Sequence, residues 1–193
     1  MMLAFVEPRT TLVNLLPKGG VGVEIGVFKG NFSDTILRIA QPKTLHLVDP
    51  WISSDAAEHR GALYGEAQRP QSDMDALCAD VQLRFAKQIE AGRVVIHREM
   101  SQSAMEKLPD ESVDFVYIDG DHNERGVDLD LDLAFRKVKR EGLICGDDYM
   151  LGGWWRAGVI RATNRFIGEH FDQLAIVFAC DGQFVLRKKA PML

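Results

Sequence analysis

The chain has 193 residues, 23 Lys and Arg against 28 Asp and Glu, and a formal net charge of −5. That length suffices for one α/β core, so residues 1–193 are expected to form a single domain. The acidic balance argues against a general nucleic-acid or anionic-membrane partner, both of which need a basic face, and no apolar run reaches the ~18 residues of a membrane span.

The first residues, Met1 to Pro8, lack the basic segment and apolar core of a signal peptide, so a cytoplasmic protein is expected. Cys78, Cys145 and Cys180 are odd in number and set in apolar segments, the pattern of reduced core thiols rather than a disulfide frame or zinc site.

Thr11 to Leu16 reads as a short helix stopped by Pro17 and Gly19-Gly20. Val21 to Gly26 is a short apolar strand running into a glycine-containing turn. From Phe32, Ile36, Leu37 and Ala40 recur at helical spacing, with Asn31 or Ser33 as cap and Pro42 as terminator. Thr44 to Asp49 is a second strand. It ends in an acid 23 positions beyond Gly26, near the ~20 residues between a glycine turn and a ribose-binding carboxylate. His46, between leucines, reads as an ordinary core or surface histidine.

Residues 50–71 are the least regular stretch and carry the aromatics Trp51 and Tyr64, as expected of a substrate-facing loop. Ser72-Asp73-Met74-Asp75 has the pattern of a capping box, and Met74, Leu77, Cys78, Val81, Phe85 and Ile89 trace one helical face up to Gly92. Arg93 to Arg98 is a third strand, followed by a short helix from about Met100 to Leu108.

Val113 to Asp119 is the central strand, a β-branched and aromatic run suited to burial on both faces of a parallel sheet. Ligands of open α/β sheets bind beyond the carboxyl ends of the strands, which puts Asp119 and His122 at the chemical edge. Val127, Leu131, Phe135 and Val138 mark the next helix, with Lys137, Lys139 and Arg140 in its last turn and Gly142 ending it. Its Asp128, Asp130 and Asp132 alternate like a calcium loop, but Leu133 occupies the glycine position; they read as a solvated helix face.

Gly142 to Tyr149 is a fifth strand ending in Asp147 and Asp148. A turn with Trp154 and Trp155 precedes a helix from about Gly158 to Ile167. Leu174 to Cys180 and Gln183 to Lys188 are strands joined by Asp181-Gly182, a strong hairpin signal. The fold class is therefore α/β: a three-layer Rossmann-like sandwich whose seven-stranded, mostly parallel sheet closes with a C-terminal antiparallel hairpin. Gly22, Gly26 and Gly30 do not have the dinucleotide spacing, which disfavours a nicotinamide-dependent oxidoreductase.

Glu24-Ile25-Gly26-Val27-Phe28-Lys29-Gly30-Asn31, Val48-Asp49-Pro50-Trp51, Asp119-Gly120-Asp121-His122 and Gly146-Asp147-Asp148-Tyr149 resemble, in this order, the motifs of class I S-adenosylmethionine-dependent methyltransferases. More narrowly, they are similar to the metal-dependent sugar O-methyltransferases of the macrocin and mycinamicin type. The resemblance runs from about Leu15 to Val185. It implies that Glu24, Gly26 and Gly30 form the cofactor turn, that Asp49 binds the ribose, and that Ser101, or alternatively Ser103, lies near the adenine. It further implies that Asp119, Asp147 and Asp148 ligate magnesium or manganese, with Asp119 also at the cofactor and His122 as general base. Independently, carboxylate oxygens at adjacent strand ends suit a hard cation, and a histidine titrates near neutrality.

The implied partner is a small hydroxylated acceptor, with no nucleic acid and no membrane. A homo-oligomer stays open, since an interface and a core face share one apolar periodicity. Two other readings remain: a metal-independent methyltransferase using His122 alone, and a cofactor-binding module without turnover.

Overall fold

The strand-forming runs of the sequence meet in one seven-stranded sheet. A computed structural model of the chain describes residues 7–54 and 70–190; positions 55–69 of the expected substrate-facing loop, Tyr64 included, lie outside them. In chain order the elements are α1 (Pro8–Leu15), β1 (Val21–Ile25), α2 (Asn31–Ile39), β2 (Thr44–Val48), α3 (Gln71–Arg84), α4 (Ala86–Glu90) and β3 (Val94–His97). There follow α5 (Ser101–Glu106), β4 (Val113–Ile118), α6 (Glu124–Lys137), β5 (Val138–Tyr149), α7 (Gly158–Glu169), β6 (Leu174–Cys180) and β7 (Gly182–Lys188).

The strand order is β3-β2-β1-β4-β5-β7-β6. β1 to β5 pair parallel, and β7 runs antiparallel to both β5 and β6. The Asp181-Gly182 connection is the expected hairpin turn, with both residues at positive φ, 46° and 79°.

Side chains alternate across β4 and divide the core in two. Phe115 and Tyr117 join Leu12, Ile36 and Met74 of α1, α2 and α3, and Phe85 between α3 and α4, on one face. Val116 and Ile118 join Met105, Leu131 and Phe166 of α5, α6 and α7 on the other. Covering both faces explains why the central strands are apolar without interruption.

Several local expectations are corrected. Gly30, not Asn31 or Ser33, occupies the N-cap of α2, and no side-chain cap bond forms there. Asn31 instead accepts a hydrogen bond from Arg84 at 2.7 Å. α3 starts at Gln71 behind Pro70 rather than at a Ser72 capping box, because the Gln71 side chain is spent on Ser53 N–H, the Trp51 carbonyl and Asp75. Trp51 is fully buried, its indole donating to the Phe28 carbonyl at 3.0 Å, so it belongs to the core.

α6 ends at Lys137, and β5 begins at Val138. Lys139 and Arg140 reach Asp114 and Glu111 from that strand instead of closing the helix. Asp130 is 3% exposed and not part of a solvated face, because it points beneath the Gly120 loop beside Ser101. Cys78 and Cys145 are buried as expected, but Cys180 is exposed at the hairpin tip. Among the described residues no helix is long and apolar enough to cross a membrane.

Candidate active site

The carboxyl ends of β1 and β4 open into a cleft of about 450 Å³, within the range of small-molecule sites. Gly26 makes the junction. Its φ is +88°, and a Cβ there would lie 1.9 Å from the Asp119 carbonyl oxygen, so only glycine lets the turn close on the end of β4. Backbone hydrogen bonds fix the approach: Gly26 N–H donates to Val48 O at 2.9 Å and Asp119 N–H to Ile25 O at 2.8 Å. Gly30, at φ +71°, ends the turn under the Phe85 ring.

The expected cofactor residues separate into two groups. Glu24 and Gly26 line the cleft, whereas Asp49 and Ser101 do not. Asp49 is fully buried. Its Oδ2 accepts from Val27 N–H (2.9 Å) and Phe28 N–H (3.0 Å), and its Oδ1 from Trp51 N–H (2.8 Å). This structure thus places Asp49 beneath the turn as its support. Ser101 is the first residue of α5, beside Asp130.

Glu24 is 1% exposed, and neither its Oε2 nor the facing Ser33 hydroxyl has a hydrogen-bond partner. Burial pushes its carboxyl up to about 8, against a smaller opposing effect of Ser33. At neutral pH it is an uncharged acid whose unpartnered oxygen suits a cationic or hydrogen-bonding ligand. That orphaned oxygen and the missing Cβ of Gly26 fit a cofactor laid against the turn.

Beyond β4, Asp121 shapes the loop by accepting from Asn123 N–H at 3.0 Å. Asn123 in turn caps α6 through Gly126 N–H at 2.9 Å. His122 Nδ1 lies 2.6 Å from the Gly120 carbonyl and must donate to it. Nε2 then faces Asp148 Oδ2 and, at 3.5 Å, Asp119 Oδ1. Burial lowers the imidazole pKa, but the hydrogen bonds to Asp119 and Asp148 outweigh it and hold the ring at about 10. In this arrangement His122 carries its proton at neutral pH. Trp154 and Trp155 flank it, ring centroids 5.8 and 5.2 Å away, and the Trp155 indole N–H is buried without a partner.

Asp147 and Asp148 arrive from β5. Asp148 has φ +56°, a left-handed conformation that a non-glycine residue keeps only where its surroundings enforce it. Its carboxylate meets His122, while Asp147 Oδ2 meets the guanidinium of Arg9. Arg9 Nη2 is also 3.2 Å from Asp119 Oδ2, and its guanidinium lies 5.4 Å over the Phe32 ring. Asp147 Oδ1 accepts from the Gln183 amide and from Asp148 N–H at 2.8 Å, and Gln183 Oε1 accepts from the Tyr117 hydroxyl at 3.2 Å.

Among the described residues, Asp119, His122 and Asp148 form the one group whose metal-ligating atoms lie within 4.8 Å of one another. Two carboxylates and an imidazole can hold a divalent cation. Asp147 stands beside this group on the Arg9 side. Arg9, Gln183 and Asp130 were not found by sequence reasoning. Gln183 had a signal, since an antiparallel hairpin beginning at Gly182 lays it beside the end of β5; Arg9 had none.

Residues 23–149 match the family described as methyltransferase domain. No curated protein matches the sequence. Among solved structures, the O-methyltransferase TomG from Streptomyces achromogenes, in complex with S-adenosylmethionine, is 16% identical with a TM-score of 0.65, the alignment covering 97% of this chain and 82% of that one. The O-methyltransferase from Bacillus cereus, in complex with S-adenosylhomocysteine, is 14% identical with a TM-score of 0.60, covering 98% and 84%. The precorrin-6y C5,15-methyltransferase from Geobacter metallireducens is 14% identical with a TM-score of 0.62, covering 98% and 93%. Identities this low speak for the fold alone, and the family match speaks for the rest: the chain belongs to the methyltransferase-domain family and is a class I S-adenosylmethionine-dependent methyltransferase.

Proposed function

We propose that the protein transfers the methyl group of S-adenosylmethionine to a hydroxyl of a small metabolite or sugar, with magnesium or manganese assisting. The observation that carries this reading is the meeting of Asp119, His122 and Asp148 within 4.8 Å at a cleft that Glu24 and Gly26 also line. The O-methyltransferases from S. achromogenes and B. cereus, which share the fold, lend support.

Methyl transfer from a sulfonium needs a nucleophile held in line and relieved of its proton. Glu24 and Gly26 set the cofactor side of the cleft, with Gly30 and Asp49 holding the turn and Ser101 standing at the start of α5. Asp119 and Asp148 would hold the cation together with the neighbouring Asp147, now engaged by Arg9, leaving His122 as base rather than ligand. The chemistry such a hard divalent ion would supply is to hold neighbouring hydroxyls and lower the pKa of the attacking one. His122, anchored through Nδ1 and charged while Asp119 and Asp148 face it, would first give up its Nε2 proton as a cation took over those carboxylates, and Nε2 would then hold the acceptor's proton. Trp154 and Trp155 give the acceptor an aromatic wall, and the unpartnered Trp155 N–H calls for an oxygen. In this reading residues 1–193 act as one domain in the cytoplasm on a small molecule, without nucleic acid or membrane.

A metal-free second reading has an observation of its own: Arg9 already brings a fixed positive charge to Asp119 and Asp147. Calorimetry separates the two. The protein is titrated with S-adenosylmethionine in magnesium and again in excess chelator, then each time with a vicinal-diol probe. Cofactor binding in both runs with diol binding only in magnesium is expected. Diol binding that chelator leaves unchanged favours the metal-free reading, and absent cofactor binding removes the proposal.

A further inference from the structure

Arg9 belongs to no motif, yet it is the cation around which the acidic residues are arranged. Its Nη2 contacts the Oδ2 atoms of both Asp119, at 3.2 Å, and Asp147. The rest of its setting keeps it there. The guanidinium lies 5.4 Å over Phe32; Phe32 packs on Tyr117, with centroids 4.3 Å apart; and Tyr117 reaches back to Asp147 through Gln183. α1 itself is seated by the buried Leu12 and Val13, so the helix delivers Arg9 from a fixed base, and only rotation of its long side chain would be needed to release the carboxylates. Glu7, at the helix N-terminus, lies within electrostatic reach of Arg9 and offers a second place for the charge.

We infer that Arg9 is the resident counter-cation of this cluster, and that a divalent ion binds only by displacing its guanidinium from Asp119 and Asp147. The inference rests on the metal-assisted reading above. The physical reason is that Arg9 Nη2 sits between Asp119 Oδ2 and Asp147 Oδ2, the place from which an ion would bridge these two carboxylates, and two cations at that separation repel. Arg9 thereby neutralises facing carboxylates while the site waits for its ion, and it sets a threshold of metal concentration below which the site stays closed. Arginine suits this role better than lysine, because its planar guanidinium meets both carboxylates through Nη2 while lying over the Phe32 ring.

The test is a manganese titration of the full chain, without cofactor or acceptor, followed by electron paramagnetic resonance of the free ion. Arg9→Met keeps the aliphatic stem against Phe32 and removes the charge; Arg9→Gln is a second neutral variant, and circular dichroism with a melting curve checks that each folds. Both neutral variants are expected to bind manganese at least tenfold more tightly than the parent, with Arg9→Lys between. Folded neutral variants that bind manganese as the parent does, or more weakly, overturn the inference while leaving the metal reading in place. No manganese binding by any of the proteins removes the metal reading and the inference together.

Discussion

Asp49 and Glu24 are two buried carboxylic acids serving one turn, and hydrogen bonding gives them opposite fates. Asp49 accepts three backbone N–H groups, an arrangement that rigidifies what it touches. Glu24 keeps an unpartnered oxygen in the cleft wall and is pushed up to about 8 by burial. The first therefore holds the turn, and the second is left for a ligand. Asp49→Ala strands three N–H groups and is expected to cost about 3 kcal/mol, a fall in melting temperature of roughly 10 °C, together with weaker cofactor binding. Scanning calorimetry and cofactor titration check both. An unchanged melting temperature would show that the turn stands without Asp49.

At the scale of elements, the close contact of β1 with β4 links the cofactor turn to the acidic loop. Gly26→Ala adds a Cβ 1.9 Å from the Asp119 carbonyl oxygen at a φ of +88°, and nothing at that point is a flexible side chain able to yield. The strand ends must part, and both Glu24 and Asp119 move with them. The expected outcome is a fold that survives, a loss of ~1–3 kcal/mol from strained backbone, and cofactor affinity reduced at least tenfold. Calorimetric affinity equal to the parent's would refute the coupling. The strands themselves were legible because buried parallel strands leave a signature, apolar runs ended by turn residues. The α6–β5 boundary was not, because Lys137, Lys139, Arg140 and Gly142 have the composition of a helix end while Val138 turns extended, with ψ 133°. The acids at strand ends were legible from topology alone. Arg9 was not: it meets Asp119 across 110 positions, and no local pattern encodes such a contact.

For the whole molecule, the buried acids set how stability responds to pH. Glu24 titrates at about 8 in the fold against 4.5 ordinarily, and Asp130 at about 7 against 3.8, both because burial penalises the charged form. Each folded-state value lies above the unfolded one. The folded chain therefore binds more protons than the unfolded chain between those limits, and stability falls as pH rises. The advantage is complete below about pH 4 and disappears as pH passes through about 7 and then about 8. Each excess proton contributes a slope of about 1.4 kcal/mol per pH unit. His46 and His97 work the other way, since burial pushes both below 6.5, His46 to about 4, and stability gains from them as pH rises towards 6.5; at Glu24 itself Ser33 and Arg9 ease ionisation while Asp119 and Asp49 resist it. His122, held at about 10 against 6.5 ordinarily, loses its contribution between about pH 6.5 and 10, in the same direction as Glu24. Melting curves of the chelated, cofactor-free protein should thus decline from pH 6.5 to 8, with the histidines flattening the stretch below 6.5. In Glu24→Gln, whose neutral amide mimics the protonated acid, the decline should be shallower by the slope of one proton. Saturating S-adenosylmethionine should flatten the parent's curve as well, since its positive charge favours ionised Glu24 and lifts the alkaline side most. If Glu24→Gln follows the parent curve at every pH, Glu24 is already ionised in the fold, and its place as the waiting acid of the cleft is lost.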